Sequence, residues 1–512
     1  MNTSGLNTSG MTSHEKLALI AIDQGTTSSR AIGFAVDGEI LSLSQKEHKQ
    51  HYPQSGWVEH DANEIWQNTL DCLKNVAAEL KQKSITPKAI GITNQRETVV
   101  AWDKQTGTPL YNALVWQDKR TAKHCEALKA EHGDMVKDQT GLPLDPYFSA
   151  SKMQWLLQNV DAVKKAAENQ ALAFGTIDSF LLFKLTDGKQ HLTDTTNACR
   201  TLLFNLKTQN WSDDLLTLFD IPAHTLPSIK PNTADFGKTA EGLLENSLPI
   251  AAMVGDQHAA TFGQACFKEG MVKSTYGTGC FAVLNTGHEI VPSEHGLLTT
   301  VAYHIDDKPV YALEGSIFVA GAGVQWLRDK LQIIKAARET EELSSKAPSN
   351  PDLYFVPAFA GLGAPWWDSA AKGSIVGMTL DTDKASITKA MLDAVCLQTN
   401  DLLNAMAEDL QKPIKKVRID GGMIKNDWLA QRLSCLTGVE ISRPEITETT
   451  AFGAALMAGL QAGVYGSLDD ITKLWKENKL FPPIFDDAKR AKRHKGWRAA
   501  VKATQTYAKE SA

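Results

Sequence analysis

Leu17 to Ile22 is an unbroken apolar run ending at Asp23, short enough for a strand buried on both faces. A polar turn, Gln24-Gly25-Thr26-Thr27-Ser28, leads into a second apolar stretch, Ser29 to Val36, and Asp37-Gly38 precedes a third, Glu39 to Ser44. Asp-Gly between apolar segments signals a hairpin, so the chain is predicted to open as a meander of three antiparallel strands. The period then changes. From Asp61 to Lys83, apolar residues such as Ile65, Leu73, Val76 and Leu80 recur at helical spacing, and Asp61 with Glu64 fits a capping box. Strands follow at Ala89–Thr93 and Thr98–Trp102, closed by a turn at Gly107. Antiparallel strands, then a helix, then a further strand predict a mixed sheet flanked by helices.

The second half repeats this plan. Met271–Tyr276 and Cys280–Asn285 flank the turn Gly277-Thr278-Gly279, Ala385–Leu410 reads as a long helix, and Val417–Asp420 is a strand ending at Gly421-Gly422. Helices at Asn426–Leu436 and Thr449–Ala462 bracket a strand at Val439–Ser442, and the stretch after about 465 reads only as mixed helix. Two copies of one plan predict two similar α/β domains with a cleft between them, residues 16–264 and 265–512. Residues 1–15, an Asn-Thr-Ser-Gly repeat without a hydrophobic stretch, read as a disordered leader and not as a signal peptide; Met11 offers a second start, and the Asn2 and Asn7 sequons read as chance.

Composition narrows the class of function. The net charge of -6 supplies no basic excess for neutralising a nucleic-acid backbone. Seven cysteines, an odd number without a Cys-x-x-Cys pair, point away from a disulfide framework and toward a reducing compartment. The apolar runs are too short for membrane insertion. The expectation is a soluble, cytoplasmic protein.

Chemistry concentrates at the predicted strand ends. Asp23 is placed to hold a magnesium ion through water, Gly25 lets backbone N–H groups approach phosphate oxygens, Thr26, Thr27 and Ser28 add donors, and Arg30 adds charge. Thr278, between Gly277 and Gly279, forms a second such turn, and the pair could grip a polyphosphate from two sides. Neither is a P-loop, since Gly-x-x-x-x-Gly-Lys-Ser/Thr is absent. Gly255-Asp256-Gln257 stands between the strand Pro249–Val254 and a helical run, and Asp256 is the candidate to orient an attacking hydroxyl and take its proton. Arg96-Glu97 supplies donors and acceptors for a small polyol, with Trp116, Tyr147 and Phe281 as flat cover. Gly421-Gly422, with Asn426 at the next helix start, could pass close under an adenine, and Gly321, Gly323 and Gln325 lie in a glycine-rich turn opening another helix. Taken singly, each has a plainer reading as a hairpin turn, an N-cap, an ion pair, a core aromatic or a close-packed glycine.

Together, these motifs resemble the carbohydrate-kinase family of glycerol, xylulose and gluconate kinases, from Leu17 to about Val464. Asp23-Gln24-Gly25-Thr26-Thr27-Ser28-Ser29-Arg30, Asn94-Gln95-Arg96-Glu97, Gly255-Asp256-Gln257 and Ser274 to Phe281 carry the match, as does Tyr147 to Leu156, which fits the family's first signature. The resemblance implies two ribonuclease-H-like domains of the actin and sugar-kinase class closing on ATP, with Mg2+, in an inter-domain cleft. It implies phosphorylation of glycerol to sn-glycerol 3-phosphate with Asp256 as base. Arg96, Glu97, Trp116, Tyr147, Asp256, Gln257 and Phe281 match glycerol-binding positions. Thr26, Thr27, Ser28 and Arg30 match positions that meet the phosphates, and Asp23 lies by the metal. Thr278, Gly321, Gln325, Gly422 and Asn426 match nucleotide positions. A homodimer or homotetramer is usual for the family.

Two departures stand out. Some bacterial members bind fructose 1,6-bisphosphate through a Gly-Gly-Thr-Arg loop; residues 236–249 lack it, so the resemblance does not carry that inhibition over. Ser386 falls where a larger polar residue is usual and reads as a tolerable helix cap. Two alternatives remain open at this level. One is a sibling kinase for a longer polyol or a ketose; the other is an actin-like nucleotide clamp without kinase activity, since fold alone does not fix function.

Overall fold

The computed structural model describes residues 16–306, 308–348, 350, 352–368 and 370–511; the leader, Met11, Asn2 and Asn7 lie outside them. The first sheet is built from β1 (Leu17–Gln24), β2 (Ser28–Ala35), β3 (Ile40–Glu47), β4 (Thr86–Asn94) and β5 (Ile250–Gly255), in the order β5-β4-β1-β2-β3. The meander β1-β2-β3 is antiparallel, while β4 joins β1 and β5 joins β4 in parallel. The second sheet contains β6 (Val272–Tyr276), β7 (Cys280–Gly287), β8 (Leu298–Ile305), β9 (Lys308–Ile317), β10 (Lys416–Asp420), β11 (Glu440–Pro444) and β12 (Glu477–Phe481). Its order is β8-β9-β7-β6-β10-β11-β12, and β9-β7-β6-β10-β11 repeats the first sheet's pattern of two antiparallel and then two parallel pairings.

The inner strands of both sheets are buried on both faces, which explains the unbroken apolar runs of β1 and β5. Along β1, Ala18, Ile20 and Ile22 point into one core, against α1 (Ala62–Gln82), while Leu19 and Ala21 point into another. That second core is shared: Val283 of β7 and Ala312 of β9 enter it from the other sheet. Between the sheets cross α2 (Asp256–Gly263) and α6 (Thr449–Gln461). Their contact depends on two glycines, because a Cβ on Gly453 would stand 1.9 Å from Ala259 O and one on Gly263 2.1 Å from Thr449 O. The outer face of the second sheet packs on α4 (Lys384–Leu410), α5 (Asp427–Thr437) and α7 (Asp487–Glu510).

Three local expectations shift. Asp61 caps α1 through Asn63 N at 2.8 Å, but Glu64 accepts from Lys49 N at 3.2 Å, a tertiary contact that takes its carboxylate away from the capping box. At the start of α4 the cap is Asp383; Ser386 sits three residues in and donates its hydroxyl to Asp383 at 2.8 Å. The tail after 465 includes a strand as well as helices: β12 pairs antiparallel with β11 and closes the second sheet's edge.

Candidate functional site

The carboxyl ends of β1, β4 and β5 lie side by side, the place where open α/β sheets present ligand-binding groups. They carry Asp23, Arg96-Glu97 and Asp256. Asp256 begins α2, and its Oδ1 accepts from Gln257 N at 2.7 Å and lies 3.1 Å from Arg96 Nε. Its side chain keeps 29% exposure, whereas those of Arg96 and Glu97 keep 2% each. Burial of its base lifts the Asp256 pKa above the ordinary carboxylate value, and Arg96 pulls it back.

Two residues absent from the expected set complete this cluster. Glu314, on β9 of the second sheet, accepts from Arg96 Nη1 at 2.6 Å and Nη2 at 3.0 Å, a bidentate pair. Arg200 donates to Glu97 Oε1 at 2.7 Å and to Glu314 Oε1 at 3.2 Å. Burial would raise the Glu314 carboxyl, but Arg200 and Arg96 outweigh it and hold it well below the ordinary range. Glu97 keeps Arg200 close but stands 4.0 Å from Arg96 Nε, and burial leaves its pKa raised. A lone Glu within the apolar run Val310–Ile317 was the available signal, since a buried carboxylate requires a partner.

The aromatic cover assembles in part. Trp116 and Tyr147 meet edge-to-face with ring centroids 5.5 Å apart, and Arg200 lies 6.0 Å from the Tyr147 ring. Burial raises the Tyr147 hydroxyl's pKa, so it stays protonated. Trp116 Nε1 donates to Thr26 Oγ1 at 3.0 Å, tying the aromatic wall to the first polar turn. Phe281 comes from β7 of the second sheet, opposite Thr275 and Ser316.

In the first turn Thr27 is exposed, and Ser28 Oγ accepts from Gln45 at 3.1 Å. Arg30 is held between Asp23 and Glu448, the latter at 2.8 Å. Glu448 precedes α6, where Thr449 Oγ1 donates to Asp420 Oδ2 at 2.9 Å. Asp420 ends β10, and next to it Gly421 adopts φ +96°, where a Cβ would meet Tyr276 O at 2.5 Å. This chain of contacts brings the first turn and the Gly277-Thr278-Gly279 turn into one region. The second turn docks on α3 (Gly321–Asp329) through Gly321 N to Gly277 O at 2.9 Å, an approach that only glycine permits, since a Cβ there would stand 2.6 Å from that oxygen. Thr278 and Gln325 are exposed, and the space around Gly422 is open. Asn426 caps α5 by accepting from Leu429 N at 2.9 Å, so its amide already serves the helix.

Duplicated mixed sheets joined by crossing helices, with a carboxylate and polar glycine turns at the strand ends, define a two-domain kinase fold of the actin and sugar-kinase class. The chain belongs to the FGGY family of carbohydrate kinases: the model of that family's N-terminal domain matches residues 18–263 and that of its C-terminal domain residues 272–462. Within it, the chain stands among glycerol kinases. It is 54% identical over 488 residues to the glycerol kinase of Alcanivorax borkumensis, covering 94% of this chain and 97% of that protein. It is 52% identical to that of Rhizobium meliloti, covering 95% and 98%. The crystal structure of Plasmodium falciparum glycerol kinase with ADP superposes with a TM-score of 0.90 at 38% identity, covering 96% of this chain and 98% of that one. Xylulose kinase from Lactobacillus acidophilus, at 22% identity and a TM-score of 0.85, shares the fold. Among the described residues no helix is long and apolar enough to cross a membrane.

Proposed function

We propose that the chain transfers the terminal phosphoryl group of ATP to a primary hydroxyl of glycerol, giving sn-glycerol 3-phosphate, with Asp256 as general base. The observation that carries this reading is the half-open Asp256 carboxylate beside a buried Arg–Glu cluster, next to an aromatic wall hydrogen-bonded to a phosphate-type turn.

Arg96 and Glu97 offer a donor and an acceptor to the triol's hydroxyls, Trp116, Tyr147 and Phe281 cover its C–H face, and Gln257 adds an amide. Asp256 orients the attacking hydroxyl and accepts its proton as the oxygen bonds to phosphorus and ADP leaves. Phosphoryl transfer runs through a loose transition state, so positioning and charge compensation contribute more than base strength. Thr26, Thr27, Ser28 and Arg30 meet the phosphates from one side and Thr278 from the other, while Gly321, Gln325, Gly422 and Asn426 flank the nucleotide. For Arg30 this requires exchanging Asp23 or Glu448 for phosphate.

Mg2+ fits this donor set. No group of three ligating side chains occurs among the described residues, and Mg2+ with a nucleotide needs only one or two carboxylates besides phosphates and water. Asp23 would hold it through water, and the ion would neutralise charge on the phosphates. We further propose that residues 16–264 form the glycerol-side domain and 265–512 the nucleotide-side domain, and that the enzyme works in the cytoplasm as a homodimer or homotetramer. Seven free, buried cysteines suit a reducing compartment; mass measurement in solution decides the assembly.

The test is ADP release in a coupled assay across a polyol panel. Glycerol is expected to lead, and faster turnover of xylulose or ribulose would overturn the substrate. Asp256→Ala is expected to abolish glycerol phosphorylation with ATP binding retained; near-normal turnover would remove Asp256 from its role.

A further inference from the structure

Lys273 is fully buried on β6, facing the boundary between the two sheets. A buried ammonium is costly unless its charge and donors are matched. Its side chain makes one hydrogen bond among the described residues, to Gln257 Oε1 at 2.7 Å. The groups acting on its charge are Asp420, Asp256 and Glu314, with Arg96 opposing. Lys273 thus sits between Asp420 on one side and the Arg96–Asp256–Glu314 cluster on the other, and it adds to the positive field that Arg96 exerts on Asp256.

The hydrogen bond has a directional consequence. An ammonium only donates, so the Gln257 oxygen is spent on Lys273 and the amide's free end is its NH2. Gln257 follows Asp256 directly, and its backbone N–H already donates to that carboxylate at 2.7 Å. The Gln257 side chain also favours the ionised form of Asp256. Among the described residues no other donor holds the amide oxygen in that orientation, so without Lys273 a flip would turn an acceptor toward an acceptor-only carboxylate.

We propose that Lys273 is a positioning residue for phosphoryl transfer: it pins the Gln257 amide so that only its NH2 is offered on the side of Asp256 and the substrate hydroxyl. The proposal rests on the reading of Asp256 and Gln257 as substrate-side residues, and it adds a second-lobe residue to the machinery that selects the alcohol.

The experiment measures kcat and KM for glycerol and for ATP separately, with melting temperature, in Lys273→Met, Gln257→Ala, the double variant and Gln257→Glu. Lys273→Met is expected to lower glycerol kcat/KM roughly tenfold or more, with the ATP KM within about twofold. The acid limb of kcat should move to higher pH, because removing a cation beside Asp256 makes its carboxylate easier to protonate. In the Gln257→Ala background, adding Lys273→Met should change glycerol kcat/KM by less than about twofold, as expected for residues that act as one unit. Additive losses, or equal damage to both substrates with a lowered melting temperature, would overturn the proposal. A silent Lys273→Met beside a defective Gln257→Ala would also overturn it, leaving the role of Gln257 standing. A silent Gln257→Ala would instead overturn that underlying role. Should Lys273→Met fail to fold, Gln257→Glu decides: it keeps an acceptor for Lys273 but removes the donor, so it should lose glycerol kcat/KM at unchanged melting temperature, and normal kinetics would refute the orientation argument.

Discussion

Glu314 is the residue whose removal should be felt most widely. It is buried on β9, yet its three contacts, at 2.6, 3.0 and 3.2 Å, all reach arginines of the first half of the chain. Glu314→Ala leaves Arg96 and Arg200 facing each other with a carboxylate lost from between them. Truncating one partner of a buried ion pair costs about 3–5 kcal/mol, set against roughly 5–15 kcal/mol for a typical domain. Glu314→Gln keeps the volume and part of the hydrogen bonding while removing the charge, so a smaller loss of about 1–3 kcal/mol is expected. The same change frees the Arg96 guanidinium from its bidentate clamp. If Arg96 meets a glycerol hydroxyl, losing one charge-assisted hydrogen bond's orientation should lower glycerol kcat/KM about ten- to a hundredfold. Urea unfolding followed by tryptophan fluorescence reads the stability, and the ADP-release assay reads the kinetics. A loss below about 1 kcal/mol in Glu314→Ala, together with unchanged glycerol kcat/KM, would refute the reasoning. It would mean that solvent reaches the cluster and screens it.

Other outcomes follow from the same geometry. Because burial raises the Asp256 pKa, kcat should fall on the acid side at a higher pH than an ordinary aspartate would dictate, with the deprotonated form active; a pH profile flat through the weakly acidic range would contradict this. Gly421→Ala forces a side chain onto Tyr276 O at φ +96°, so about 1–3 kcal/mol of strain and a raised ATP KM are expected, measured by thermal melting and kinetics. Trp116→Phe removes the 3.0 Å hydrogen bond to Thr26, about 0.5–1.5 kcal/mol, and should raise the KM for both substrates modestly; a change confined to stability would sever the aromatic wall from the turn.

The sequence by itself determined the local events. Unbroken apolar runs gave the two-faced strands β1 and β5, Asp-Gly and Gly-Thr-Gly gave the turns, and the repeat of strand, turn and helix announced duplication, because period and turn chemistry act over a few neighbours. Asp23, Arg96, Glu97 and Asp256 stood out in the sequence because they lie at or just past the ends of predicted strands. Tertiary structure alone decided what those ends face. α6, from the second half of the chain, packs beneath the first sheet, and Glu314 and Lys273, on strands of the second, meet Arg96 and Gln257. A single charge in an apolar strand says that a partner must exist, but not which one. The pairing is fixed by the cost of burying charge once two sheets, joined through two crossing helices, have brought distant strand ends together.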